Sequence, residues 1–490
     1  MSTSSFGFEN TYAVELEGFY VPWQGAVVPE PRIVHLNRAL AQELQLDEAT
    51  LASDVGARVL AGTQALEGTT PLAQAYAGHQ FGNFVPQLGD GRALLLGELI
   101  DRAGTRHDLQ LKGSGRTPFS RGGDGKATLS SVLREYLISE AMHALEVPTT
   151  RSLAAVTTGE EIWRQGAQPG AILARIASSH IRVGTFQFFA ARGEVERVRQ
   201  LAEYTIARHF PEFSKEDDRY LQMFRAIRDR QAALVARWMS IGFVHGVMNT
   251  DNTTVAGETL DYGPCAFMDG YDPTTVFSSI DHHGRYAYGN QPAIAKWNLA
   301  RLVETLLPLI DPDEDRAISL ATAEVEAFAP VYEGHWLERM RAKLGLAGSE
   351  PEDGALVEKL FNALEGQDVD FTGFFRRLAD SARGDRSAVR ALFPDATAID
   401  AWMDLWIARL ARETESASSR ADAMDRVNPV YVPRNHKVQE ALDAADASDL
   451  EPFRRILNVL ERPFDRREGL EEFETRAPDS FGQYTTYCGT

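Results

Sequence analysis

The spacing of apolar and polar positions changes twice along the chain. Residues 1 to about 70 begin extended and punctuated by proline, "FYVPWQGAVVPEPRIV", and pass into an amphipathic stretch, "HLNRALAQELQL". Such a pattern predicts a structured extension wrapped on a core. From about residue 84 the runs become strand-like. "FVPQL" and "RALLLGELI" flank Gly89-Asp90-Gly91 and predict a hairpin, and "RHDLQLKG" predicts a third strand carrying Lys112. Leu129, Val132, Leu133, Tyr136 and Leu137 fall at helical spacing, so "TLSSVLREYLISEAMHAL" predicts a helix packed on those strands. "SLAAVTT", "EIWRQG", "GAILARIA" and "IRVGTFQFF" are β-branched and aromatic, and predict further strands.

After about residue 195 the period becomes helical, in "EVERVRQLAEYTIARHF" and "YLQMFRAIRDRQAALVARWMSIGF". "NTTVAGETLDYG" then predicts a short hairpin turned by Ala256-Gly257. From residue 293 onward "AIAKWNLARLVETLLPLI", "ATAEVEAFAPVYEGHWLERMRAKLGL" and "AIDAWMDLWIARLARETE" carry broad apolar faces. The pattern is that of an α+β protein with a large C-terminal helical region. Residues near 348 to 354 and 382 to 387 are loops too short to separate domains.

Composition narrows the partners. The chain has 490 residues, 44% hydrophobic and 24% charged, which suits a folded protein with more than one core. Its 70 acidic and 50 basic residues give a formal charge of -20, which disfavours nucleic acid or an anionic membrane as a main partner. A phosphate site must then be a local basic pocket. Two cysteines, Cys265 and Cys488, are too few for a disulfide framework and suit a reducing compartment. The N-terminus lacks the features of a signal or transit peptide, and no apolar run reaches the roughly 18 residues that span a bilayer. A cytoplasmic protein is expected.

The chemistry concentrates in "HGVMNTDN", residues 245 to 252, followed by "DYG" at Asp261 to Gly263. The spacing from His245 to Asn252 matches the catalytic loop of protein kinases, but Val247 stands where their aspartate should be. Asn252 and Asp261 offer the hard oxygens that Mg2+ or Mn2+ takes beside nucleotide phosphates. Asp251 is the nearest carboxylate to them and a candidate base, although Asp in "NTDN" is also an ordinary turn or cap residue. Lys112 followed by Glu135 reproduces the order of the kinase Lys-Glu pair, with Glu140 a competing partner. Gly89 and Gly91 would let backbone N-H groups approach phosphate, with Arg92 adding charge, but plain hairpins share that pattern. "SRGGDGKAT" departs from a Walker A loop at Ser120 and Ala127; it leaves a glycine-rich segment with Asp124, Gly125 and Lys126 suited to lying over a nucleotide. Arg175 and Arg182, amid small residues, have the planar forks that match phosphate.

Taken together, "PLAQAYAGHQFGNFVPQLGDGRALLLGE", "DLQLKGSGRTPFSRGGDGKA", "HGVMNTDN", "DYGP" and "SIDHHGRYAYGNQP" make the chain resemble the selenoprotein O family over most of its length. The resemblance implies a protein-kinase-like bilobal fold. Residues 1–70 would be an N-terminal extension, 71–192 the N-lobe, 193–330 the C-lobe with its catalytic and metal loops, and 331–490 a C-terminal helical extension. It also implies a protein adenylyltransferase that binds ATP flipped relative to kinases and transfers AMP to Ser, Thr or Tyr hydroxyls; UMP transfer from UTP with Mn2+ is attributed to the family as well.

Carried over, the resemblance makes Asp251 the proton acceptor and Asn252 and Asp261 the metal ligands. Gly89, Gly91, Arg92, Lys112, Asp124, Gly125, Arg175, Arg182 and Asp261 become the nucleotide-binding set, with Glu135 orienting Lys112. Expected partners are ATP and protein substrates, with the enzyme a monomer. A kinase-like phosphotransferase and an inactive nucleotide-binding scaffold are the competing readings. Some members end in Cys-x-x-selenocysteine, whereas this chain stops at Thr490, so Cys488 lacks that redox partner. A Cys265–Cys488 disulfide is a further expectation, motivated by these being the two cysteines of the chain.

Overall fold

The computed structural model describes residues 6–164 and 166–487. Its strands are β1 (Tyr20–Pro22), β2 (Arg32–Leu36), β3 (Leu72–Gln74), β4 (Gly78–Gln80), β5 (Asn83–Val85), β6 (Ala93–Ile100), β7 (Arg106–Lys112), β8 (Ala127–Thr128), β9 (Arg151–Trp163), β10 (Ala167–Ala177), β11 (Phe243–Val244) and β12 (Ala266–Phe267). Eight form one antiparallel sheet in the order β1-β3-β6-β7-β10-β9-β2, with β8 beside β10. The fold is mixed α/β, one sheet with many helices.

Both faces of the sheet are covered, which is why β6 and β10 read as continuous apolar runs. On one face Leu96, Leu109, Leu111, Ile172 and Ala174 pack against Leu40, Leu44, Leu51 and Leu60 of the N-terminal segment. That segment also supplies β1 and β2 at the two edges of the sheet, so it is bound to the core by ladder hydrogen bonds as well as by packing. On the other face Leu95, Ala155 and Leu173 meet the helix Leu129–Ala144 through Leu133, Tyr136 and Leu137. The Thr128 side chain caps that helix by accepting from Ser131 N.

Two expectations need correcting. "IRVGTFQFF" is not a strand: Val183–Ala190 is a helix, its first turn closed by Arg182 N donating to Thr185 Oγ1 at 3.1 Å. Val183, Phe186 and Phe189 recur every three residues and are all buried, so helical spacing overrode β propensity. Likewise, "FVPQL" and "RALLLGELI" do not pair across Gly89-Asp90-Gly91. β5 pairs with β4, and the chain after it runs beside the end of β3, with Leu88 N donating to Tyr76 O and Asp90 N to Gln74 O, both at 2.9 Å. β6 pairs instead with β3 and β7. The glycines are needed for contact: a β-carbon on Gly89 would lie 2.3 Å from Phe119 Cγ, and one on Gly91 2.9 Å from Phe119 O.

The predicted turn at Ala256-Gly257 is present. Gly257 has φ +77°, and Thr253 and Thr259 bridge across it, so Asn252 and Asp261 flank one short hairpin. Helices fill the remainder; the run "ATAEVEAFAPVYEGHWLERMRAKLGL" divides at Ala327 into Glu314–Glu326 and Phe328–Lys343. Among the described residues no helix is long and apolar enough to cross a membrane.

Candidate active site

β7 alternates Asp108, Gln110 and Lys112 on one face with Leu109 and Leu111 on the other, which carries Lys112 to the end of the strand with its ammonium pointing at the helix Leu129–Ala144. There Lys112 Nζ donates to Glu135 Oε2 at 2.5 Å and also to Asp261 Oδ1. Glu135 Oε1 accepts from Arg175 at 3.0 Å, and Arg175 in turn donates to Gln110. Glu140, the competing carboxylate, turns away to Arg151, the Ser152 backbone N-H and Asn37. Arg175 is 2% exposed, so it touches Glu135 rather than the open cleft.

Asp261 sits at φ +68°, a left-handed conformation that Asp tolerates better than most residues. Burial opposes its ionisation, but Lys112, Arg175 and Arg92 more than offset that and hold its carboxyl well below the usual range. Across the hairpin, Thr250–Asn252 forms a single 3-10 turn. Asn252 Nδ2 donates to Val247 O at 3.1 Å, which leaves Oδ1 as the amide's donor atom toward a cation. His245 ties the two segments together: its Nε2 lies 3.1 Å from Leu260 O, while its Nδ1 accepts from Val247 N at 3.3 Å. Burial lowers its pKa, and this bonding pattern fixes the neutral Nε2-H tautomer.

Asp251 is 7% exposed. Its Oδ2 accepts from Gln80 Nε2 at 3.2 Å, whereas Oδ1 has no hydrogen-bond partner. Burial pushes its pKa up to about 6. The turn beneath it is rigidly held: Thr250 Oγ1 donates to Gln187 at 2.6 Å and accepts from His79 N at 2.7 Å, and Asn249 Oδ1 accepts from Tyr286 and from Phe81 N. A buried, partnerless carboxylate oxygen beside an ionised aspartate and a side-chain amide is a donor set suited to a hard divalent cation or a substrate hydroxyl. Among the described residues no group of three or more His, Cys, Asp or Glu could hold a metal ion by itself.

Arg182 lies over the Tyr76 ring at 4.2 Å and 3.8 Å from Asp90 Oδ1. Asp90 also accepts from Gln74 N and Gln110 Nε2, and its Oδ1 lacks a hydrogen bond. Asp124 is exposed and forked by Arg164 at 2.9 Å on both oxygens. Gly125 has φ +69° and packs so closely that a β-carbon would lie 2.1 Å from Gly115 O. The glycine-rich segment is therefore tied down, with Arg116 donating to Gly123 O and Lys126 to Glu160. Arg92 is half-buried and its charge acts on Asp261.

Several participants escaped the sequence reading. Gln110 and Asp108 carried a signal, since polar residues two apart from Lys112 in an apolar strand mark its polar face. Tyr76, Gln80 and Asp90 carried none, because their roles depend on how the 74–90 segment folds back. Arg134, one residue before Glu135, donates to Gly263 O and Cys265 O and to the Tyr484 hydroxyl, fixing the segment after Asp261 to the helix. Cys265 is buried and unbridged among the described residues, its thiol pushed up to about 11 by burial; Cys488 lies outside the described residues.

With this geometry in view, comparison with known proteins defines the class: the chain is an enzyme, a nucleotidyltransferase. The model of the family described as protein adenylyltransferase SelO matches residues 3–461, and the chain belongs to that family. A protein of Cereibacter sphaeroides named protein nucleotidyltransferase YdiU is 59% identical over 488 residues, covering 99% of this chain and all of its own. Relatives of the same name in Rhodopseudomonas palustris and a Mycobacterium species are 55% and 54% identical, covering 100% and 99% of this chain and the whole of their own.

Proposed function

We propose that this enzyme transfers AMP from ATP to Ser, Thr or Tyr hydroxyls of proteins. The observation that carries the reading is the convergence of an ion-paired lysine, Lys112, on an ionised Asp261, beside a loop whose Asp251 keeps one buried oxygen without a partner. UTP with Mn2+ would serve as a second donor. The order of strand lysine, helix glutamate, loop and "DYG" supports a protein-kinase-like bilobal frame, with 1–70 as an extension, 71–192 and 193–330 as the lobes and 331–490 as a helical addition. The same reading takes the protein as a cytoplasmic monomer, in keeping with its two cysteines.

In this reading Asn252 Oδ1 and Asp261 would hold Mg2+ or Mn2+, which supplies charge neutralisation on the phosphates. Lys112, Arg92, Arg175 and Arg182 set a positive field at the same end, Glu135 orients Lys112, and Gly89, Gly91, Asp124 and Gly125 frame the nucleotide. The acceptor hydroxyl oxygen attacks the α-phosphorus, its proton passes to Asp251 Oδ1, the α–β bridging bond breaks, and pyrophosphate leaves. The nucleotide lies with its β- and γ-phosphates toward the basic side chains. Phosphotransfer from the γ position finds less support, because Val247, buried and apolar, occupies the place where a kinase keeps its base.

The test measures pyrophosphate release against protein-bound AMP in the wild type and in Asp261→Ala. Equal amounts of both in the wild type, and neither in a folded Asp261→Ala, are expected. Undiminished transfer in that variant would overturn the metal assignment.

A further inference from the structure

Buried cations in the helical region mostly face carboxylates. Arg228 lies 2.5 Å from Glu324, Arg409 2.8 Å from Asp353 and Arg434 2.7 Å from Asp269. One cluster, a buried lysine ringed by two half-buried arginines and an exposed one, breaks this habit. Arg237, Arg339, Lys343 and Arg426 converge from three helices, Arg219–Ser240, Phe328–Lys343 and Ala417–Val427, on one small cleft with a cavity volume of about 50 Å³. None of the four forms an ion pair with a described residue. Glu146 and Glu338 are the carboxylates whose field reaches Arg237 and Arg339, and neither comes into contact with a guanidinium; Glu146 offers Arg237 only its backbone oxygen.

Lys343 is the telling member. It is 4% exposed and lines the cleft; among the described residues its ammonium has no hydrogen-bond or ion-pair partner, and the Phe375 ring lies beside it at 4.1 Å from the centroid. A mostly buried lysine whose ammonium opens only into a cleft takes its acceptor from water or from a ligand held there. Burial and the neighbouring Arg339 push its pKa down to about 7, in keeping with a missing counter-charge. In a chain of net charge -20, four unpaired cations around one cleft form a local positive field that attracts anions.

We propose that this cleft is a binding site for a phosphate-bearing small molecule, with Lys343 on its floor and Arg237, Arg339 and Arg426 at its walls. Guanidinium forks match phosphate oxygens in pairs, and three forks with an ammonium call for a multiply charged oxyanion rather than chloride or a monocarboxylate. Inorganic phosphate and pyrophosphate share that chemistry. No residue of the cleft belongs to the set proposed for catalysis. Its walls include Leu145 to Val147, just after the helix that carries Glu135, and Ser240 and Ile241, just before β11 and the Asp251 loop. A ligand here would bridge the two segments leading to those residues.

The experiment is isothermal titration calorimetry of the full chain in chelator at constant ionic strength, with sodium phosphate and sodium pyrophosphate as probes and sodium chloride as control. Three proteins are compared, each checked by circular dichroism: wild type, Lys112→Met, which weakens anion binding in the catalytic cleft, and Lys112→Met carrying Arg339→Ser and Arg426→Ser as well. Arg339 and Arg426 are half-exposed and exposed, so the added pair should leave the fold intact. Binding of at least one probe to wild type and to Lys112→Met, weakened about tenfold or more in the triple variant, supports the site. Absence of binding to Lys112→Met, or binding there that survives the added pair, would overturn the proposal.

Discussion

Gly78 lies so close to Asp251 that a β-carbon on it would stand 2.5 Å from Asp251 Oδ1 and 2.9 Å from its Cβ. The candidate base is therefore held against bare backbone. Gly78→Ala is expected to displace the Asp251 carboxylate without touching the rest of the sheet, lowering kcat by roughly a hundredfold or more while leaving ATP affinity near wild type. Steady-state kinetics with ATP, beside a nucleotide titration, would check this; an unchanged kcat would mean that Asp251 has no catalytic part.

Asp251 carries a stability cost as well. Its folded pKa of about 6 exceeds the unfolded value of 3.8, so between those values the folded state holds more protons and stability falls as pH rises. At neutral pH the penalty is on the order of 2–3 kcal/mol in the metal-free protein. Asp251→Asn removes the charge and should raise Tm in chelator at pH 8 while abolishing transfer. The difference should vanish as pH falls below about 4. Thermal denaturation at both pH values decides it.

Arg175 and Asp124 should separate structure from nucleotide contact. Arg175→Met leaves Glu135 Oε1 buried without its partner, and a loss of about 3 kcal/mol or more is expected, read as a lower Tm. Asp124→Ala removes an ion pair whose carboxylate is 43% exposed, so stability should change by under about 1 kcal/mol. A raised KM for ATP at unaltered Tm is the expected result for Asp124→Ala.

Much of this site was legible in the chain because its parts rest on local rules. Strand alternation placed Lys112, helical spacing placed Glu135, and a glycine turn brought Asn252 and Asp261 to one hairpin. What escaped depended on tertiary approach. Gly89 and Gly91 carried a turn signature, yet they serve to admit Phe119, a residue with no local tie to them. "IRVGTFQFF" offered both a β-branched composition and a three-residue spacing, and only the core it packs into decided for helix. Spacing likewise could not choose between Glu135 and Glu140 for Lys112; the choice turns on Arg151 reaching the second of them.

The helix-to-loop tie through Arg134 gives a further expectation. Arg134 Nη1 donates to the Tyr484 hydroxyl at 2.9 Å, while Nε and Nη2 donate to Gly263 O and Cys265 O. Tyr484→Phe should loosen the segment after Asp261, raising amide hydrogen exchange across residues 261–265 and lowering transfer several-fold, with protection in β6 and β7 unchanged.

The most direct measurement follows protein-bound label after parallel incubation with ATP labelled at the α- or the γ-phosphate, first with Mg2+ and then with Mn2+. With Asp251 as base and Val247 filling the kinase position, label should come from the α position alone. Label from the γ position would contradict the account and make the enzyme a phosphotransferase with a displaced base.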